Sequence, residues 1–247
     1  MDSIKLILTP NDRTEVNDDI AKMISLYLGS LSKNGQILRN YEIVKSGTEY
    51  YAYLTLPEKN SLDENYNSKY SNEYLMKLKE LFHLKIEYIG DNINHDASCF
   101  CISPSWYMLY TDWTLIESPV VCGDCGKEVP LYKLPYLQKR DDHYEIYCWQ
   151  IAYTSIDNIW LHGLSDRFSY RQMNDPRSQL AKEGREICAE LENLTGKPVY
   201  YYIFNNKKTK ANCPDCGTSW EQVKDCFIDF RCEKCRLVAD EVPICLR

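Results

Sequence analysis

Two periodicities alternate along the first ninety residues. "SIKLILTP" carries apolar side chains at every second position and predicts a strand. "EVNDDIAKMISLYLGSL" places Ile20, Met23, Ile24, Leu26, Tyr27 and Leu28 at near-helical spacing, so a helix follows. "NYEIV" and "TEYYAYLTLP" are rich in tyrosine and β-branched residues and flank "KSG", which predicts a hairpin. Beyond a polar loop, "EYLMKLKELFHL" sets Leu75, Leu78 and Phe82 on one helical face, and "KIEYIG" reads as a closing strand. The order β-α-β-β-α-β over residues 1–96 is that of a ferredoxin-like split unit within an α+β chain. Such a scaffold hosts many functions and names none.

Residues 97–205 predict a mixed α/β middle region. "SCFCISPSWYMLYTDW" puts Cys99 and Cys101 on one face of a strand that turns at Pro104, and "VVCGDCGKEVPLYKLP" is a compact Cys-x-x-Cys-Gly turn. "YEIYCWQIAYTSIDNIWLHG" reads as a strand followed by a less regular segment. Asp175 then offers an N-cap with Pro176 at the first helical position. Leu180, Ile187, Leu191 and Leu194 line one face of that helix, which stops at Gly196 and Pro198 before the strand "VYYYIF". Neighbouring strand positions face opposite sides. At least one of Tyr50, Tyr51 and Tyr53, and one of Tyr200, Tyr201 and Tyr202, is therefore expected in solvent. There it can stack on bases or anchor a protein contact, with sheet packing as the alternative.

The clearest chemistry stands in "NCPDCGTSWEQVKDCFIDFRCEKCRL". Cys213 and Cys216 form one Cys-x-x-Cys turn and Cys232 and Cys235 another, fifteen residues apart. Each turn aims two sulfurs at one point, and four soft ligands suit tetrahedral Zn²⁺ at about 2.3 Å. The arms between them alternate polar and apolar residues, so residues 206–247 are expected to form a zinc ribbon. Four thiolates close the coordination sphere, which makes the metal structural. Cys122 and Cys125 repeat the turn without a partner pair at comparable spacing. Cys99, Cys101, Cys148, His143 or His162 could complete a second site by folding back, and two reduced thiols are the alternative. Cys148, Cys188, Cys226 and Cys245 stand singly in apolar settings and read as core residues.

Twelve cysteines in 247 residues, with no basic leader before the first strand, point to metal rather than disulfides and to a cytoplasmic location. No apolar run reaches the roughly 18 residues of a membrane span. The formal charge of −7 is unevenly spread. Eleven basic side chains stand against fifteen acidic ones in residues 1–96, and nine against fourteen in 97–196. Residues 197–247 reverse the sign, with nine against seven. A tetrathiolate zinc adds about −2 there. Phosphate-loop, dinucleotide, zinc-protease and serine-hydrolase motifs are all missing, and the histidines at 83, 95, 143 and 162 are scattered.

The stretch from "SDRFSYRQMNDPRSQL" through "LTGKPVYYYIFN" to "FRCEKCRL", with "VCGDCGKEVPLYKLP" before it, resembles a bacterial family of uncharacterised zinc-ribbon proteins classed with nucleic-acid binders. The residues that carry the resemblance are Asp175–Pro176, Gly184–Arg185, Thr195 to Pro198 and the four ribbon cysteines. It implies a zinc ribbon at Cys213, Cys216, Cys232 and Cys235. On that reading the protein is a non-enzymatic binding protein in which Lys207, Lys208 and Lys210, with nearby tyrosines, meet nucleic acid. The charge of the first two-thirds favours a different partner: an acidic module, such as an immunity-type protein, that caps a cationic toxin domain. An enzyme using metal at Cys122 and Cys125 would need an open coordination position.

Overall fold

A computed structural model describes residues 1–11, 18–206, 209, 211–223 and 227–241. The expected mixture of α and β is present as two sheets with helices. Contacts divide the chain into two units. The first holds Met1–Ser98 with 116–118 and 130–144, and the second holds Cys99–Leu115, Pro119–Val129 and the chain from Glu145 onward.

In the first unit the elements are β1 (Asp2–Pro10), α1 (Asp18–Lys33), β2 (Glu42–Ser46), β3 (Glu49–Leu56), α2 (Lys69–Leu81) and β4 (Phe82–Asp91). The sheet order is β2-β3-β1-β4, antiparallel throughout. Strict alternation in β1 buries Ile4, Leu6 and Leu8 against Ile24, Leu28 and Leu31 of α1 and Leu75 and Leu78 of α2. Leu26 falls off the helical stripe and is exposed. Ser68 starts α2 by accepting the Ser71 N–H at 3.0 Å. Phe82 departs from its expected helical place. Its backbone is extended (φ −134°, ψ 146°), so it closes α2 and opens β4 opposite Pro10. Its ring meets Tyr50 edge-on at 6.0 Å. A buried aromatic therefore reached the core by a strand position, not by the helical face its spacing suggested.

His143 belongs to this unit, fully buried with its ring 4.6 Å from that of Tyr136. Burial pushes the imidazole down to about 3, with the Leu131 backbone acting the other way. A base whose folded pKa lies below its unfolded value of about 6.5 keeps full stability above that value and loses it as pH falls. His143 should thus cost about 1.4 kcal/mol per pH unit on acidification from roughly pH 6.5 toward 3. Denaturant titrations at stepped pH should show that slope flattened in His143→Phe. Equal slopes in parent and variant would mean the ring is charged when folded.

The second unit is built on β5 (Tyr107–Leu109), β6 (Val120–Cys122), β7 (Val199–Tyr202), β8 (Glu221–Gln222), β9 (Phe230–Cys232) and β10 (Leu237–Ala239), in the order β6-β5-β7-β10-β9-β8. β7 runs parallel to β5 on one side and to β10 on the other, and an antiparallel hairpin is completed beyond each. Its helices are α3 (Tyr144–Leu161), α4 (Asp166–Asn174) and α5 (Gln179–Thr195).

Three sequence expectations change here. The segment read as a strand after Tyr144 is α3: Ile146, Trp149, Gln150, Tyr153 and Asp157 are buried at helical spacing. Aromatic and β-branched content favours strands locally, but burial along a helical stripe decides the outcome. Asp175 does not cap α5. It closes α4, and its carbonyl accepts the Ser178 N–H at 2.9 Å while its carboxylate takes the Arg177 N–H at 2.9 Å. Asp followed by Pro serves a turn as well as a helix start. Ser178 is the cap, its hydroxyl accepting the Ala181 N–H at 3.1 Å, and Leu194 lies outside the buried stripe.

Tyr200, Tyr201 and Tyr202 are all buried, against the expectation that one would be exposed. A central strand has both faces covered. Tyr200 meets Trp106 edge-on at 5.4 Å, Tyr202 meets Tyr110 at 5.0 Å, and Tyr201 points the other way onto Trp149 at 5.9 Å. In the other trio Tyr50 is buried and Tyr53 is exposed.

Candidate metal centres

Two sets of four thiols converge among the described residues, each with its sulfurs within 4.8 Å of one another. One is the expected Cys213, Cys216, Cys232 and Cys235. The other joins Cys122 and Cys125 to Cys99 and Cys101. Either set could hold a metal ion. Four thiols are the donor set of closed Zn²⁺ or iron–sulfur centres.

The Cys122 and Cys213 turns have the same backbone construction. The Cys122 N–H donates to the Lys127 carbonyl and the Cys213 N–H to the Thr218 carbonyl, both at 2.8 Å. Gly126 and Gly217, each directly after the second cysteine, take left-handed φ of +70° and +73°. Each glycine N–H returns to the first cysteine's carbonyl, at 2.9 and 3.0 Å. A bridge then closes each loop, Val121 to Glu128 and Asn212 to Ser219. The third turn, at Cys232 and Cys235, puts Arg236 at the left-handed position with φ +52°. An L side chain is strained there. Glu192 on α5 engages the guanidinium, with Nε and Nη2 both donating at 3.0 Å. Two turns earlier on the same helix, Arg185 donates to Asp215 at 2.9 Å, so α5 holds both the Cys213 turn and the Cys232 turn.

Cys122 ends β6 opposite Tyr107, and Cys232 ends β9 opposite Leu237, so one sheet anchors a ligand of each set. Trp106 packs tightly on the first of these turns. A Cβ on Gly123 would meet the Trp106 ring at 2.0 Å, and the same indole stacks on Phe227 at 5.9 Å with 9° between planes. Cys99 and Cys101 come from irregular chain, not from the strand their alternation suggested. Cys99 is held by its N–H to the Glu128 carbonyl at 2.9 Å.

The thiols differ electrostatically. The Thr218 hydroxyl and backbone N–H bring Cys216 down to about 6. Burial pushes Cys99, Cys122, Cys213 and Cys235 up. At Cys125 burial acts upward but is outweighed by the Lys127 N–H and neighbouring thiols, and the net direction is down.

The other sequence candidates lie elsewhere. His143 is in the first unit, and the His162 Nδ1 hydrogen-bonds the Asn158 carbonyl at 2.8 Å. His95 pairs with Glu117 rather than with Cys99. Cys188 is buried as expected and Cys148 half-buried. Lys207, Lys208 and Lys210, with Cys226 and Cys245, lie outside the described residues. No helix among the described residues is long and apolar enough to cross a membrane.

Three family models match in succession: a domain of unknown function (DUF8589) at residues 4–90, another (DUF2310) at 101–204 and a third (DUF8594) at 204–241. An uncharacterized protein of Haemophilus influenzae is 28% identical over 241 residues, covering 89% of this chain and 90% of its own length. A second from the same organism is 32% identical over 167 residues, covering 62% of this chain and 79% of its own length. Among solved structures, a mutant of the cofactor-independent oxygenase SnoaB from Streptomyces nogalater gives a TM-score of 0.30 at 7% identity, covering 37% of this chain and 94% of that one. Rv0793 from Mycobacterium tuberculosis gives 0.28 at 17%, with 39% and 97% covered. Likeness at that level fixes no fold. Sequence alone makes the assignment: the chain belongs to the same protein family as the second of these Haemophilus influenzae relatives.

Proposed function

We propose that this is a non-enzymatic binding protein organised by two structural zinc ions, with nucleic acid as its partner. One zinc sits in a C-terminal ribbon at Cys213, Cys216, Cys232 and Cys235, and the other at Cys99, Cys101, Cys122 and Cys125. The observation that carries the metal reading is the shared construction of the Cys122 and Cys213 turns, each feeding a set of four converging sulfurs. Zinc is favoured because it takes four thiolates tetrahedrally and does no redox chemistry, as suits a scaffold. Four protein ligands leave no position for water or substrate, which speaks against catalysis at either centre. The N-terminal unit is read as ferredoxin-like, supported by its β-α-β-β-α-β order and the β4-β1-β3-β2 sheet.

The nucleic-acid reading rests on the positive balance of residues 197–247 and on Lys207, Lys208 and Lys210 in the sequence beside the ribbon. A protein partner is the second reading, favoured by the acidic excess over residues 1–196, which would steer a cationic surface toward the chain. Elemental analysis of protein purified without chelator should find two zinc ions per chain, and one in Cys122→Ser. Finding one zinc in both proteins would remove the second centre. Iron with visible absorbance would replace zinc by a cluster.

A further inference from the structure

Cys99 and Cys101 bring their sulfurs toward the Cys122 turn, while the side chains between and beyond them stand in solvent. Those side chains are Phe100, 71% exposed, and Ile102, fully exposed. The stretch from Phe100 to Tyr107 carries no charged residue. Two lysines flank it. The Lys127 ammonium lies 5.9 Å from the centre of the Phe100 ring. Lys197 reaches Ser103 Oγ at 2.9 Å and lies 5.8 Å from the Tyr107 ring. Among the described residues neither lysine pairs with a carboxylate. Asp124, between the two cysteines of the turn, takes the Ser105 N–H at 2.7 Å.

An exposed aromatic, an exposed branched apolar side chain and two uncompensated ammonium groups match one kind of partner. A nucleotide offers a flat base to the ring and a phosphate to the cation, and a single strand offers both in series. Apolar side chains also wedge between neighbouring bases. We propose that the Cys99–Ser103 loop is a contact surface for single-stranded nucleic acid. Phe100 stacks on one base and Ile102 packs beside it, while Lys127 and Lys197 meet the flanking phosphates. The negative charge of a loaded tetrathiolate is partly met by the Asp124, Cys125 and Lys127 backbone N–H groups, which point at Cys122 and Cys125. Metal at this centre would act by fixing the loop, so that little ordering is left to the moment of binding. The inference rests on the nucleic-acid reading above and moves its contact from the ribbon lysines to the first thiol centre.

Fluorescence anisotropy of the zinc-loaded full chain with a labelled oligothymidine of about a dozen nucleotides tests it. The parent should bind, with affinity falling steeply in salt. Phe100→Ala/Ile102→Ala should bind about tenfold or more weakly, as loss of a stacked base predicts. Neither side chain is a ligand, so an unchanged zinc count shows that the double variant is folded. Lys127→Ala and Lys197→Ala should each lower the salt slope by about 0.7. Parental affinity in the double variant would overturn the loop surface and leave nucleic-acid binding standing. A parent that fails to bind would overturn both. If that parent also self-associates and the double variant does not, the exposed pair belongs to a protein contact.

Discussion

Cys232→Ser should remove one metal per chain and melt the outer half of the second sheet. β8, β9 and β10 hold two, three and three residues, too few for a core of their own. Structural zinc in zinc-finger peptides contributes apparent binding free energy of about 10–16 kcal/mol near neutral pH. That rivals the entire stability of an ordinary domain, about 5–15 kcal/mol. A serine oxygen is a poor replacement for a soft thiolate. The damage should not stop at β8 to β10, because Leu237 and Val238 pair with Tyr201 and Tyr202 in β7. Hydrogen exchange should therefore rise in β7 as well as in β8 to β10, while β1 to β4 keep their protection. Unchanged metal content with unchanged melting would end the ribbon reading.

Gly184→Ala should be costly for a change of a single methyl. The residue lies in the buried stripe of α5, and a Cβ there would stand 2.2 Å from a Tyr201 ring carbon and 2.7 Å from Trp149 Nε1. Neither ring has an easy escape. Tyr201 is fully buried, and the Trp149 indole donates to the Leu180 carbonyl at 3.2 Å. Alanine gains about 1 kcal/mol of helix propensity over glycine. Overpacking of a tight core typically costs about 1–3 kcal/mol, and two blocked aromatics place this site at the upper end. The net expectation is destabilisation by about 1–2 kcal/mol, read as a lower urea midpoint at constant slope. A raised midpoint would mean that α5 can step back from the sheet at little cost.

The residues that announced themselves in the sequence were those whose chemistry is local. Two Cys-x-x-Cys turns followed by glycine needed only a few consecutive positions to be read, and the structure assembles both. Period-two and helical spacing likewise placed β1, the β2–β3 hairpin and α1, because each has one wet face and one dry face. Legibility failed where apolar positions do not mark a single dry face. β7 has both faces covered, so its tyrosines carry no alternation that separates inside from outside, and α3 exposes Ile151, Ile159 and Leu161 beside its buried stripe, which blurs its helical spacing. Cys99 and Cys101 were visible as candidates, yet choosing them over Cys148, His143 and His162 required knowing which segment pairs with β6. The Asp175–Pro176 dipeptide was ambiguous for another reason: one turn chemistry starts helices and also links them.

The placement of β7 governs the order of assembly. Tyr107 pairs early with Cys122, but its other edge is filled only when Val199 arrives, and the second edge of Tyr201 is filled only at Leu237. Both pairings are parallel and long-range, the slowest class of contact to close. On the ribosome, β5 and β6 emerge as a hairpin with one edge bare through the synthesis of three helices. A bare edge is a template for pairing with another chain. A metal captured early at Cys99, Cys101, Cys122 and Cys125 would need nothing downstream of Cys125, since all four ligands precede α3. It would hold the waiting strand in register, whereas a metal at the Cys213 set could be loaded only after Cys235 has left the exit tunnel.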